Sequence, residues 1–89
     1  MSKKTFLGRD DLIIKKMDGE TVLYEESADR VHSLNTTATL VWDLCDGKNE
    51  MEGMVKEVLA RFEVDEATAR SDVENILREF KEKGLLRGD

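Results

Sequence analysis

The dipeptide Asp18-Gly19 constrains the fold of this 89-residue chain more than any other local feature. It separates two short β-branched runs, residues 12–17 and 21–26, and Asp-Gly suits a two-residue type I′ turn, in which both central residues need a positive φ. The chain is therefore expected to begin with a β-hairpin. A weaker turn at Ser27-Ala28 leads to a third predicted strand, residues 29–34, which completes an antiparallel sheet.

Beyond residue 34 the apolar residues repeat with a helical period instead of alternating. Asn35 is a favourable N-cap for a first helix that is expected to run to about Cys45, just before Asp46-Gly47. Asn49, with Glu52 three residues later, resembles a capping box for a second helix. The apolar stripe of that helix recurs every three or four residues, at Met51, Met54, Val55, Val58, Leu59 and Phe62.

A third helix is predicted to start near Asp65 and to end before Gly84, which suits the left-handed C′ position of a Schellman ending. Strands followed by helices in separate runs indicate an α+β fold: a three-stranded antiparallel β-sheet followed by three helices, winged-helix-like in arrangement. One domain is expected to span residues 1–89. Its residues 1–11 are polar apart from Phe6-Leu7, and they are expected to form a loosely ordered N-terminal segment.

The composition limits the cellular location and the classes of binding partner that are expected for the protein. No apolar run approaches the roughly 20 residues that a membrane span needs, and the N-terminus has no cleavable signal, so a cytoplasmic location without a membrane partner is expected. The net charge is −6, from 20 acidic and 14 basic residues. This balance has the wrong sign for a protein that is attracted to nucleic acid phosphates.

The sequence contains few of the residues and none of the motifs that are typical of catalytic sites. There is one histidine, one cysteine and no metal-binding or phosphate-binding motif, so no enzyme, metal or cofactor is expected. His32 is interpreted as a half-exposed strand side chain, and Cys45 as a small buried hydrophobe rather than a reactive thiol. Carboxylate pairs such as Glu25-Glu26 are most simply solvated surface, and Trp42 is assigned to the core in preference to a binding surface.

Two binding functions fit three helices that follow a small sheet. A winged-helix transcription regulator would read DNA with its third helix, yet residues 65–83 carry six acidic and four basic side chains, whereas a DNA reader should show a basic excess. A peptide-binding module would instead use a sheet edge, whose unpaired backbone groups can accept a strand from a partner. The third strand contains no lysine, the residue that commonly prevents an exposed edge strand from pairing with another chain.

Three sequence elements resemble the PqqD family, named for coenzyme PQQ synthesis protein D: Leu34-Asn35-Thr-Thr-Ala38, Leu44-Cys-Asp46-Gly47 and Lys83-Gly-Leu-Leu86. The likeness extends from about residue 12 to residue 86. It implies a RiPP recognition element, a non-catalytic peptide chaperone that binds the leader of a ribosomally made precursor peptide. The leader adds as a strand between the third strand and the third helix, and it is presented to a modifying enzyme, often a radical SAM protein.

The resemblance also implies particular binding residues and leaves the pathway open between PQQ biosynthesis and a related peptide modification. Val73 and Leu77 are equally compatible with a wholly core position. An exposed edge also permits self-pairing, so a monomer or a weak dimer is expected. The implied edge residues are Arg30, Val31, His32 and Ser33, and the implied wall on the third helix is Arg70, Val73, Glu74, Leu77 and Lys81.

Overall fold

The structure, a computed structural model, describes residues 4–87 and contains the predicted antiparallel sheet. Its strands are β1 (Ile13–Met17), β2 (Glu20–Glu25) and β3 (Arg30–Leu34), in the spatial order β1-β2-β3. Asp18 and Gly19 have φ angles of 49° and 80°, as a type I′ turn requires, so the predicted hairpin is confirmed.

Three helices follow the sheet, at Thr36–Asp43 (α1), Met51–Arg61 (α2) and Glu66–Glu82 (α3). The predicted α+β fold is therefore confirmed. The side chain of Asn35 accepts a hydrogen bond from the Ala38 N–H at 2.8 Å, as expected of an N-cap. The predicted Schellman ending of α3 is also present, because the Leu85 N–H donates to the Phe80 carbonyl at 2.8 Å and Gly84 has a φ of 69°.

The start of α2 and the end of α1 differ from the prediction. Asn49 does not form the expected capping box, and Glu50 occupies the N-cap position instead. The Asn49 side-chain amide donates to the Leu44 carbonyl at 3.2 Å and to the Asp46 carboxylate at 3.0 Å, so it is bound within the turn that closes α1. This turn also explains why α1 ends at Asp43, two residues earlier than predicted.

The helices cover one face of the sheet, and the core lies between them. Leu23 and Leu34 contribute the sheet side of this core, together with fully buried residues from all three helices. Trp42 packs edge-to-face on Phe80 with ring centroids 5.6 Å apart, which confirms its assignment to the core. Cys45 is buried as predicted.

The N-terminal segment joins two other parts of the chain by backbone hydrogen bonds. The Gly8 N–H donates to the Cys45 carbonyl at 2.9 Å, and the Arg9 N–H donates to the Leu85 carbonyl at 2.9 Å. This arrangement places residues 6–9 between the turn after α1 and the residues that follow α3. The prediction of one domain over residues 1–89, loosely ordered over residues 1–11, extends beyond the described residues and stays a prediction.

Candidate peptide-binding site

The turn of the hairpin determines which backbone groups of the sheet are already paired. Met17 and Glu20 close the two-residue turn and are direct partners in the ladder, so the Glu20 N–H bonds to the Met17 carbonyl. In an antiparallel pair, hydrogen-bonded and non-hydrogen-bonded partners alternate. The ladder between β1 and β2 has no bulge, so Val22 and Tyr24 also direct their backbone groups to β1, whereas Leu23 directs its groups to β3.

The same alternation continues into β3 and defines its free edge. Leu23 pairs with His32, so the N–H and C=O groups of His32 point into the sheet. The backbone groups of its neighbours, Val31 and Ser33, therefore point away from β2. β3 is the last strand of the sheet, and within residues 4–87 no backbone hydrogen bond outside the ladder involves Val31 or Ser33. This edge offers one donor and one acceptor from each of the two residues.

The other edge of the sheet is chemically different. β1 contains Lys15 and Lys16, and the alternation directs the backbone groups of Ile14 and Lys16 outward. Lysine on an edge strand discourages pairing with another strand, because addition would desolvate its ammonium group. β3 has no lysine, so it is the edge that is open to a further strand.

The side chains of β3 alternate between the helix-facing side and the outer face of the sheet. His32 and Leu34 are buried on the helix-facing side, and Arg30 projects to the same side, whereas Val31 and Ser33 are exposed on the outer face. The interpretation of His32 as half-exposed is wrong, since only 8% of its surface is accessible. The reason is its register, which places it directly opposite the buried Leu23.

His32 belongs to a small buried network that the sequence did not reveal. Its Nε2 lies 3.4 Å from Oε1 of Glu25, and the other carboxylate oxygen of Glu25 accepts from the Arg9 guanidinium at 2.8 Å. The interpretation of Glu25 as solvated surface is therefore wrong. The hydrogen bond from Arg9 is the main cause that holds the pKa of Glu25 below its usual range, with a smaller contribution from His32. The network ties the N-terminal segment to β2 and β3.

The predicted wall on α3 is divided between two environments. Arg70 is held by the carboxylates of Glu52 and Glu66, so its charge is already paired within the helices. Val73 is fully buried, which favours the core interpretation for this residue. The other three predicted wall residues line one groove of about 230 Å³: Glu74, Leu77 and Lys81.

The remaining residues of this groove were not anticipated as site residues. Phe6, Met51 and Leu86 contribute apolar surface, while Lys4 and Arg78 add positive charge. The groove is therefore bounded by α3, α2, the N-terminal segment and the chain after α3. None of the residues that line it belongs to β3. The only sequence signal for the contribution of Phe6 was an apolar pair in an otherwise polar segment.

The fold is a small α+β module in which the last strand of the sheet, β3, has a free edge. The sequence matches the family described as Coenzyme PQQ synthesis protein D (PqqD) over residues 20–86. The chain belongs to the PqqD family. Members of this family are leader-binding domains without catalytic activity, in agreement with the prediction that the chain is not an enzyme.

Solved structures support the same assignment of fold. TbiB1 in complex with the TbiA(beta) leader peptide is 25% identical over 93% of this chain and 96% of its own, with a TM-score of 0.80. Lasso peptide synthetase B1 complexed with the leader peptide is 20% identical over 96% of this chain and 100% of its own, with a TM-score of 0.82. Both structures have the fold of a RiPP recognition element.

A third solved structure shows the fold as part of a much larger protein. The heterocyclase TruD is 17% identical over 92% of this chain but over only 11% of its own length, with a TM-score of 0.64. No curated protein matches the chain. None of the helices within residues 4–87 is long and apolar enough to cross a membrane, and no group of three or more potential metal ligands occurs there.

Proposed function

We propose that the chain binds the leader of a ribosomally made precursor peptide by β-strand addition to β3 and presents it to a modifying enzyme. The pathway is PQQ biosynthesis or a related peptide modification, and the chain acts in the cytoplasm, with a radical SAM protein as the modifying enzyme. Binding the leader and the enzyme together raises their effective local concentration, which is how a module without chemistry of its own can accelerate a modification.

The observation that carries this proposal is the direction of the backbone groups at the free edge. The outward N–H and C=O groups of Val31 and Ser33 are spaced for a ladder with a fourth strand, and no lysine guards them. Family membership supports a peptide as the occupant, and the 25% identical TbiB1 has been solved with a leader peptide. Main-chain hydrogen bonds would supply affinity, and neighbouring side chains would supply specificity.

Alternate leader residues would face the helices and the outer side of the sheet. Those that face the helices would lie beside Arg30 and His32, and those on the outer side would lie beside Val31 and Ser33. On α3, the proposed site comprises Arg70, Val73, Glu74, Leu77 and Lys81. Leu77 offers apolar surface within its groove, whereas Val73 supports the wall from inside the core.

A substitution at Ser33 tests strand addition without disrupting the sheet. Ser33→Pro removes an N–H that points away from β2, and proline is tolerated on an edge strand in this orientation. Ser33→Ala is the matched control, because it removes the hydroxyl but keeps the N–H. The ligand is the leader of a short peptide encoded beside this gene, and its affinity is measured by calorimetry.

We expect Ser33→Pro to bind this leader at least about 2- to 13-fold more weakly than Ser33→Ala, since one net hydrogen bond is worth about 0.5–1.5 kcal/mol. Equal affinity in the two folded variants would remove this amide from the interface. Binding of duplex DNA at low salt, with no binding of the leader, would instead favour a winged-helix regulator.

A further inference from the structure

An apolar row crosses the outer face of the sheet and ends at its free edge. Ile13 lies directly opposite Tyr24, and Tyr24 lies directly opposite Val31, so the three side chains form one line across the three strands. Ile13 is 43% exposed and Val31 is 59% exposed, while Tyr24 between them is half-buried. Directly opposed side chains on one face contact each other, so Tyr24 has a neighbour in the row on both sides, whereas Ile13 and Val31, on the two edge strands, each lack one.

The neighbouring row on the same face is different in character. It consists of Lys15, Val22 and Ser33, so it starts with a charge and reaches the free edge with a small polar side chain. The ammonium group of Lys15 lies 5.9 Å from the centre of the Tyr24 ring and so flanks the apolar row on one side. At the free edge the sheet therefore presents one apolar position, Val31, beside a polar one.

Val31 is also a residue whose own backbone groups point outward. A strand added to β3 would be held by hydrogen bonds to Val31 itself, and the leader residue in register with Val31 would project to the same outer face. Its Cβ would lie about 4.5–5.5 Å from that of Val31, within contact distance. The added residue would extend the row from three strands to four.

We propose that the leader carries a β-branched or aromatic residue at the position opposite Val31, and that this contact sets the register of the leader. The inference rests on the proposed strand addition. A slip of one residue would turn every leader side chain to the wrong face, but a slip of two residues would preserve the faces. A difference between successive positions on one face distinguishes the registers that a two-residue slip relates, and on the outer face this difference lies between Val31 and Ser33.

A charge-exchange experiment locates the partner of Val31 in whichever register the leader binds. Successive leader residues are replaced by glutamate, one at a time, in the leader of the precursor encoded beside this gene. Each peptide is titrated into the wild-type protein and into Val31→Lys, and its affinity for each protein is expressed relative to that of the unchanged leader, because a lysine on this edge by itself weakens strand addition. Ile13→Lys is the matched control, because it introduces the same charge in the same row but two strands further from the leader.

We expect one leader position at which glutamate weakens binding to the wild-type protein by about 1.4- to 5-fold, the range for a single cross-strand pair. Val31→Lys should recover affinity at this position alone, and Ile13→Lys should not. If the leader binds and shifts the Val31 and Ser33 amides, but no position couples to Val31→Lys, the inference is overturned while strand addition stands. If those amides do not respond to the bound leader, strand addition and the inference fail together.

Discussion

Gly8→Ala tests how firmly the N-terminal segment is held against the core. A Cβ atom at residue 8 would lie 2.6 Å from Cη2 of Trp42 and 3.0 Å from both Cζ2 and Cζ3. The indole cannot easily retreat, because it is buried and packs edge-to-face on Phe80 at 5.6 Å. The segment must therefore move, or the ring must shift within a packed core.

Both responses cost free energy of similar size. Overpacking of a well-packed core costs about 1–3 kcal/mol. Moving the segment away would break backbone bonds such as those from Gly8 to Cys45 and from Gly47 to Phe6, each worth about 0.5–1.5 kcal/mol net. Alanine also lowers the conformational entropy of the unfolded chain, which by itself would raise the free energy of unfolding by about 0.4–1 kcal/mol. We therefore expect a net loss of about 1–2 kcal/mol in the free energy of unfolding.

Urea unfolding followed by circular dichroism measures this loss, with Gly53→Ala as the matched control. A Cβ at Gly53 would meet only the Asn49 side-chain oxygen, at 3.7 Å, within α2. That variant should gain up to about 1 kcal/mol from the higher helix propensity of alanine. If Gly8→Ala unfolds at the same urea concentration as the wild-type protein, the segment is not held against Trp42, and the looser N-terminus predicted from the sequence gains support.

Three further predictions concern buried groups. Thr21→Val should raise the free energy of unfolding by about 1 kcal/mol, because the Thr21 hydroxyl is buried without a hydrogen-bond partner among residues 4–87; a loss in urea unfolding would contradict this. The lowered pKa of Glu25 adds to the free energy of unfolding at pH values above its unfolded pKa, and this contribution is lost as the pH falls through the folded value. Arg9→Gln should therefore raise the pKa of Glu25, measured by carboxyl carbon NMR, and an unchanged value would refute the network. Burial raises the pKa of Cys45 to about 12, so a disulfide reagent should modify it at least ~100-fold more slowly at pH 8 in the folded than in the urea-unfolded protein; comparable rates would contradict its burial.

Local signals in the sequence predicted the strands and helices, apart from the end of α1 and the cap of α2. The turn at Asp18-Gly19, the cap at Asn35 and the start of α3 near Asp65 depend on residues within three or four positions of one another, and all three form as expected. Asn49 failed as a cap because its amide found partners in the preceding turn. A sequence pattern shows that a side chain can cap a helix, but it does not reveal a competing acceptor.

Long-range contacts account for what the sequence did not reveal about the site. His32 and Glu25 are seven residues apart, and Glu25 also accepts a hydrogen bond from Arg9, which arrives from the N-terminal segment. Phe6 reaches the groove on α3 only because residues 6–9 lie against the chain after α3. No local periodicity encodes such a contact.

The direction of the backbone groups on β3 could be worked out from the predicted turn only once the register of the strands was known. A two-residue turn closed by Met17 and Glu20 fixes the alternation of hydrogen bonds through β2 into β3. It assigns the outward amides to Val31 and Ser33 and not to His32. A proline at His32 would consequently damage the sheet itself, which makes Ser33 the better position at which to test binding.

Amide hydrogen exchange distinguishes a leader peptide that adds as a fourth strand at β3 from one that binds elsewhere. In the free protein, the Val31 and Ser33 amides point away from the sheet and should exchange rapidly, whereas the His32 amide is bonded to Leu23 and should be protected. A saturating amount of the leader encoded beside this gene should protect Val31 and Ser33 and leave His32 protected. If the leader binds while both outward amides continue to exchange as in the free protein, the leader does not add as a strand at this edge.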